Sequence, residues 1–415
     1  MKIMPVSEWE KNAPIDPPTE TVMKIIDRVK KSGDKALREY AAEWDGGAPE
    51  RWVLPIGGAA EAWEKTTESV QNAMRVAAAQ LEAWSRACLP KAPARLTHGD
   101  VKLRQDIRPV ASAAVYVPGG RYPLVSSALM GLIPAQVAGV PRRVLMTPAK
   151  GGKVNAEILA AAHLGGATEI WAVGGAHGIA AAALGVDGLD PVDLIVGPGN
   201  AYVSEAKRQL QGVVAIDMVA GPSELLVIAD KGTNLEYLAW DLLAQAEHGP
   251  DSESVVFSED QSVLVALSKK LDSLVREWNN DVGEQAVTQV CGAYGSFSDL
   301  SAAANRMAPE HLHVTTTDLK PWESVLTNYG SLFLGDLTAV ALGDYASGGN
   351  HVLPTSRGGR FRGGLSVEDF MVRRTVQAYD PENDLSVMEA AAELARVEGL
   401  YAHEKSLQVR LQTRK

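Results

Sequence analysis

The 415 residues carry 51 acidic against 40 basic side chains, a net charge of −11. That balance excludes a nucleic-acid partner, which needs clustered Lys and Arg, and no apolar run approaches the ~20 residues of a membrane helix. The length exceeds one ordinary core and leaves room for a cleft between roughly two or three domains of about 150 residues.

Residues 1–17 lack the apolar core and small-residue cleavage site of an export signal and read as a loose or partner-clasping arm of a cytoplasmic protein. Apolar residues then recur at helical spacing (Val22, Ile25, Ile26, Val29), Ser32-Gly33-Asp34 breaks the run, and a second helix stops at Gly46-Gly47. One long helical pattern spans Ala60 to Ala87, followed by loop chemistry in LPKAPARLTHGD. From Ala113 the texture changes to apolar strands alternating with helices: AAVYVPGG, RRVLMTP, EIWAVGG, DLIVGPGN, VVAIDM and ELLVIAD each precede a turn or a helical run. Continuous apolar strands joined by crossover helices predict a parallel sheet covered on both faces, the doubly wound α/β class. A second βα texture follows Ser254, so the chain reads as two α/β lobes, and the segment from Val367 reads as a mainly helical appendage. Cys88 and Cys291 belong to no motif and read as small core residues.

Ligand crevices in such sheets lie beyond the strand carboxyl ends, where Pro118-Gly119-Gly120, Gly174-Gly175, Gly197-Pro198-Gly199-Asn200 and Gly221-Pro222-Ser223 fall. None completes G-x-G-x-x-G, so these turns read either as phosphate-approaching loops or as plain strand-to-helix connections. In LLAQAEHGPDSES, Gln245 and His248 share a helical face: they are either a polar helix end favoured by the dipole or two ligands for one metal ion. Glu310 and His311 are adjacent on a turn, either solvated or a carboxylate–imidazole acid/base pair. His313, two residues on, is expected to face away from His311. Asp344, Asn350 and His351 sit in a glycine-rich stretch without helical or strand period, and Glu398 and His403 share one helical face only if Gly399 turns the chain. Most histidines of this chain stand beside an acid or amide, which together suggests a metal-assisted acid/base site.

AQAEHGPDS, APEH, GDYASGGNHVLPT, GPGNAYVSEAKR, AIDMVAGPSELLVIAD and VEGLYAHEKS, in this order, closely resemble histidinol dehydrogenase, from about Pro17 to the C-terminus. The resemblance implies NAD and Zn2+ as cofactors, with Gln245, His248, Asp344 and His403 as zinc ligands and Glu310 and His311 as the catalytic pair. Ser223, His351 and Glu398 would hold the substrate together with His311 and the zinc ligands, and Tyr116, His177 and Asn200 would contact NAD. It implies a four-electron oxidation of L-histidinol to L-histidine through the aldehyde. His177 departs from the glutamine usual in GGAQ-x-IA, and PGGRYPLVSS differs from the commonest family form, which leaves a related small polar alcohol as an alternative substrate. The implied fold is two incomplete Rossmann-like doubly wound lobes, one inserted in the other, with helical N- and C-terminal extensions. Its parts would be an arm (1–17), a discontinuous lobe (18–112 and 221–366) carrying most of the metal and catalytic site, an inserted NAD lobe (113–220) and an extension (367–415) exchanged in a homodimer with shared sites. Neither cysteine lies in the polar constellation, so the aldehyde is expected to react with water and not through a thiohemiacetal.

Overall fold

A computed structural model describes residues 1–11, 16–119, 123–278, 289–381 and 384–413. The chain divides into two compact units, residues 1–89 with 109–370, and residues 90–108 with 371–415.

The larger unit contains two six-stranded sheets. Its elements are β1 (Lys2–Pro5), α1 (Thr19–Trp44), β2 (Val53–Leu54), α2 (Gly57–Lys65), α3 (Glu68–Ala87), and, after the hairpin strands β3 (Arg95–His98) and β4 (Val101–Pro109), the first βα series. That series is β5 (Ser112–Tyr116), α4 (Val125–Ala138), β6 (Arg142–Met146), α5 (Ala156–Leu164), β7 (Glu169–Trp171), α6 (Gly175–Leu184), β8 (Leu194–Val196), α7 (Ala201–Leu210) and β9 (Ala215–Ile216). The second is β10 (Glu224–Ile228), α8 (Leu235–Ala246), β11 (Glu253–Ser258), α9 (Gln261–Trp278), β12 (Val290–Tyr294), α10 (Phe297–Met307), β13 (His311–Val314), α11 (Lys320–Val325), β14 (Ser331–Leu334) and α12 (Val340–Tyr345).

The sheet orders are β2-β7-β6-β5-β8-β9 and β1-β12-β11-β10-β13-β14. In each, the first strand of the series is central, the next two extend to one side and the last two to the other, and a strand from the N-terminal region is added beyond the third. All pairings are parallel except β2 on β7. Both sheets have a topological switch point, β5/β8 in the first and β10/β13 in the second. The strands β5, β8, β10 and β11 are buried along their whole length, as the apolar runs require. Helix α4 lies close enough to β5 that a Cβ at Gly131 would stand 2.4 Å from Val115 Cγ1, so only glycine fits there.

Several expectations change. The arm is not loose: Lys2–Pro5 pairs with Cys291–Tyr294, extending the second sheet's hydrogen bonds. Helix α1, grouped by sequence with the lobe of residues 221–366, places Val22, Ile25, Val29, Leu37 and Tyr40 in the core of the first sheet. Gly33, at φ 49° and ψ −127°, leaves helical geometry and breaks α1 into two helical runs as expected, whereas the long pattern after Ala60 divides into α2 and α3 at Thr66 and Thr67. Cys88 and Cys291 are half-buried rather than core residues.

The smaller unit holds β3, β4 and β15 (Met371–Tyr379) in a three-stranded sheet, followed by α13 (Ser386–Val397) and α14 (Tyr401–Thr413), which pack on each other. The tail is therefore partly strand, and residues 95–100, within the stretch read as loop, belong to a hairpin with Leu96 opposite Leu103. Gly399, at φ 74°, makes the turn between α13 and α14 that the spacing of Glu398 and His403 demands. Among the described residues no helix is long and apolar enough to cross a membrane.

Candidate active site

The catalytic candidates collect at the amino ends of β10 and β13, the central neighbours of the second sheet. Their register sets Leu225 opposite His311, which brings Ser223 and Glu224 beside Glu310 although the two stretches are far apart in sequence. Ala308 adopts the left-handed conformation that ends α10, so the chain turns at Pro309 and delivers Glu310 and His311 into β13. The Ser223 hydroxyl donates to Glu310 Oε2 (2.6 Å), and the Glu224 amide donates to the same oxygen (2.9 Å). Gln245, buried in the last turn of α8, donates from Nε2 to Ser223 Oγ (2.9 Å) and keeps its carbonyl oxygen for another partner.

His311 stands between two carboxylates, with Nδ1 3.5 Å from Glu310 Oε2 and Nε2 3.5 Å from Asp344 Oδ1. Burial would lower its pKa, but Glu310 and Asp344 outweigh burial and raise it to about 10. Burial likewise acts to raise the pKa values of Glu310 and Asp344. His311, with the donors Ser223 and Glu224 on Glu310 and with His351 and His248 near Asp344, holds both below the usual carboxylate value. The pair is thus buried, charged and opposite in sign, not a solvated turn.

Asp344 lies in the short helix α12, not in an irregular loop, and its backbone oxygen accepts from His351 Nδ1 (2.8 Å). His351 Nε2 is thereby left to accept from the Ser127 hydroxyl (3.2 Å), a contact that ties this segment to α4. Burial lowers the His351 pKa, in keeping with a neutral ring. His248 is exposed just beyond α8, whose last residue is Ala246, and its charge acts on Asp344. Asn350 is structural: it donates to Met130 O and accepts from Val352 N. Glu398 and His403 belong to the smaller unit, the first capping α13 and the second in the first turn of α14, both exposed. His313 does not face away from His311: residues two apart on a strand share a face, and both rings pack on Phe333.

Pro118-Gly119, Gly174-Gly175 and Gly197-Pro198-Gly199-Asn200 follow β5, β7 and β8 at the carboxyl ends of the first sheet, whereas Gly221-Pro222-Ser223, expected at such an end, directly precedes β10 at the amino end of the second. Tyr116 ends β5, buried, with its hydroxyl accepting from the Gly175 amide (3.4 Å); burial pushes its pKa up to about 12. Helix α6 begins at Gly175 with no N-cap side chain, and of its first amides the Tyr116 hydroxyl takes that of Gly175. His177, in that first turn, is 1% exposed, and neither ring nitrogen has a hydrogen-bond partner. Asn200 caps α7 by accepting from Tyr202 N and Val203 N, so only its amide NH2 is free for a ligand. Gly120, Arg121 and Tyr122 of the unusual PGGRYP loop lie outside the described residues.

Sequence reasoning missed Glu224, whose Oε1 accepts from Lys11 (2.6 Å) and the Ser356 amide while Oε2 is buried without a partner. Its place directly after Ser223 was the available signal. It also missed Lys207 and Asp217, a buried ion pair that clasps Gly197 from both sides: Lys207 donates to Gly197 O (2.9 Å) and Asp217 accepts from Gly197 N (2.7 Å). Among the described residues no group of three or more His, Cys, Asp and Glu side chains could hold a metal ion. Gln245, His248 and Asp344 supply one amide oxygen, one imidazole and one carboxylate, a donor set compatible with zinc but one short of closing a tetrahedron.

Known proteins match the chain over nearly its whole length. A family model described as histidinol dehydrogenase matches residues 10–411. Histidinol dehydrogenase 1 of Nostoc sp. is 40% identical over 395 residues, covering 94% of this chain and 92% of the relative, and histidinol dehydrogenase of Rhizobium meliloti is 41% identical over 395 residues, covering 94% and 91%. The crystal structure of histidinol dehydrogenase from Elizabethkingia anophelis superposes with a TM-score of 0.91 at 33% identity, covering 100% of this chain and 98% of that one. A match of this length, carried by both sequence and fold, places the chain in the histidinol dehydrogenase family.

Proposed function

We propose that this protein oxidises L-histidinol to L-histidine through the aldehyde, with NAD accepting two hydrides in succession and zinc anchoring the imidazole and amine of the substrate. The observation that supports this reading most is the buried relay Gln245–Ser223–Glu310–His311–Asp344, which has a charged acid/base pair at its centre. The residues fit both cofactors. Gln245 spends its nitrogen on Ser223 and leaves an oxygen for a metal beside His248 and Asp344, and the uncapped start of α6 with the unpaired His177 ring leaves polar groups for a dinucleotide beside Tyr116 and Asn200.

Glu310 is ionised and His311 protonated as folded, which refines their division of labour. The Asp344 charge would be drawn away from His311 by a zinc ion held by Gln245, His248 and Asp344, which favours the ring as the base for the alcohol proton. Glu310, ionised and already oriented by Ser223 and Glu224, then takes a proton from water as it attacks the aldehyde, and the resulting gem-diolate releases the second hydride to leave the acid. Each oxidation thus passes one hydride to the cofactor and one proton to the pair.

In this reading Glu398 and His403 complete the site of a second copy in a cytoplasmic homodimer. The support is that α13 and α14 leave Leu394, Val397 and Tyr401 between 64% and 73% exposed in the single chain. NADH formation from histidinol, abolished by chelator and restored by zinc, is the expected result. Turnover of other small polar alcohols without histidinol activity would favour the paralogous dehydrogenase that His177 motivates. Mixing His403→Ala subunits, which should lose zinc, with Gln245→Ala subunits should restore activity if the sites are shared.

A further inference from the structure

His313 joins the three elements that carry the site residues. It lies on β13 two residues from His311, on the same face and 1% exposed. Its Nε2 is 3.0 Å from the Gly335 carbonyl, in the connection between β14 and α12, and its Nδ1 is 3.4 Å from Asp241 Oδ2 on α8. The same connection also holds the start of α8, because Asp336 accepts from the Asn234 amide (3.1 Å). Asp241, Gln245 and His248 follow one another at positions i, i+4 and i+7, one stripe of α8 and the turn beyond it. Asp344 lies on α12, directly after the Gly335 connection.

We propose that His313 is a positioning residue. Through Asp241 and Gly335 it fixes α8 and the β14–α12 connection at one offset from β13, and so sets where Gln245, His248 and Asp344 stand relative to Glu310 and His311. A sliding apolar contact would not do this: Leu238, Leu242 and Leu243 of α8 give burial without direction, whereas the Nε2 hydrogen bond to Gly335 and the close polar contact of Nδ1 with Asp241 fix register. The inference rests on the zinc reading of Gln245, His248 and Asp344.

The test uses the full-length chain with His313→Leu, Asp241→Asn and the double substitution His313→Leu/Asp241→Leu. The double variant removes the pair without leaving a buried carboxylate unpaired, so it should recover thermal stability lost by His313→Leu. Zinc affinity, read by competition with a chromogenic chelator, should fall about 10- to 100-fold in all three, as for outer partners of metal sites. The visible bands of the cobalt-substituted protein should shift in the double variant although its stability is restored. Native zinc affinity and an unchanged cobalt spectrum in a double variant of native stability, or in Asp241→Asn, would overturn the positioning role alone. Failure of the unsubstituted protein to take up zinc would overturn the zinc reading and this inference with it.

Discussion

His177 provides the sharpest measurable consequence of a single substitution. The ring sits against Tyr40 (5.6 Å) and Trp44 (5.5 Å) at the end of α1, and its Nε2 is 3.9 Å from Asp45 Oδ2, too long for a hydrogen bond. Asp45 is itself pushed up by burial, against the pull of Lys150, and so does little to hold a charge on the ring. Burial lowers the His177 pKa from 6.5 to about 4. Above pH 6.5 both folded and unfolded chains carry a neutral ring and no free energy is at stake. Between 6.5 and about 4 only the unfolded chain binds the proton, so stability falls as pH falls, and below about 4 the loss is complete. At ~1.36 kcal/mol per pH unit the full effect is about 3 kcal/mol. His177→Gln removes the titration while keeping a polar side chain of similar length. Urea unfolding of both proteins should therefore show the variant gaining about 3 kcal/mol over the parent between pH ~7.5 and ~4, and the ring resonance of His177 should titrate near pH 4. Parallel stability curves, or a ring that titrates near 6.5, would refute the account of a buried, unpartnered imidazole.

Glu310→Gln should slow aldehyde-to-acid conversion by ~10²–10⁴-fold, and alcohol oxidation by less, with zinc retained; equal losses in the separately measured half-reactions would remove the water-activating role. Lys207→Met strands Asp217 as an unpaired buried charge and frees the Gly197 carbonyl. It should cost about 3–5 kcal/mol in urea unfolding and weaken dinucleotide binding, and a loss below ~1 kcal/mol would show the pair to be incidental. Gly197→Ala, at φ 116° with its Cβ 2.2 Å from Tyr116 O, should fail to give folded protein or should lose dinucleotide affinity, whereas Gly212→Ala at φ 103° in open space should only lower the melting temperature slightly.

The two α/β series were legible because strands buried on both faces read as apolar runs, and the turns between them carry glycine and proline at the switch points. What escaped is what sequence leaves unspecified. Strand β15, MVRRTVQAY, is half-exposed and charged, so it has neither an apolar run nor a clean alternation. The partner of Lys2–Pro5 is nearly 300 residues away, a pairing no local pattern encodes. Glu310 and His311 were readable as a pair, but the clasp that makes Glu310 a held carboxylate, Ser223 on one side and the Glu224 amide on the other, depends on the β10/β13 register.

The two sheets have the same strand order yet put their polar groups to work at opposite ends, and the helix starts explain why. At the carboxyl ends of the first sheet, α4 and α6 begin without side-chain caps, while Asn155 and Asn200 cap α5 and α7. At the corresponding end of the second sheet the protein's own side chains hold these amides: Asn234 caps α8, Asp260 accepts from Ser262 N, Ser296 caps α10 and Asp318 accepts from Lys320 N. A cavity of about 470 Å3 does lie there, lined by Asp230, Glu259, Asp260 and Asp318 beside Trp322 with Lys231 paired to Asp260, so carboxylates outnumber the cation where a pyrophosphate would have to approach. The second crevice is thus net acidic and disfavours a phosphate, while the amino ends of β10 and β13 carry the Glu310–His311 pair. Calorimetric titration should accordingly find one dinucleotide per chain; two independent sites would show that the carboxylates of the second crevice do not exclude phosphate.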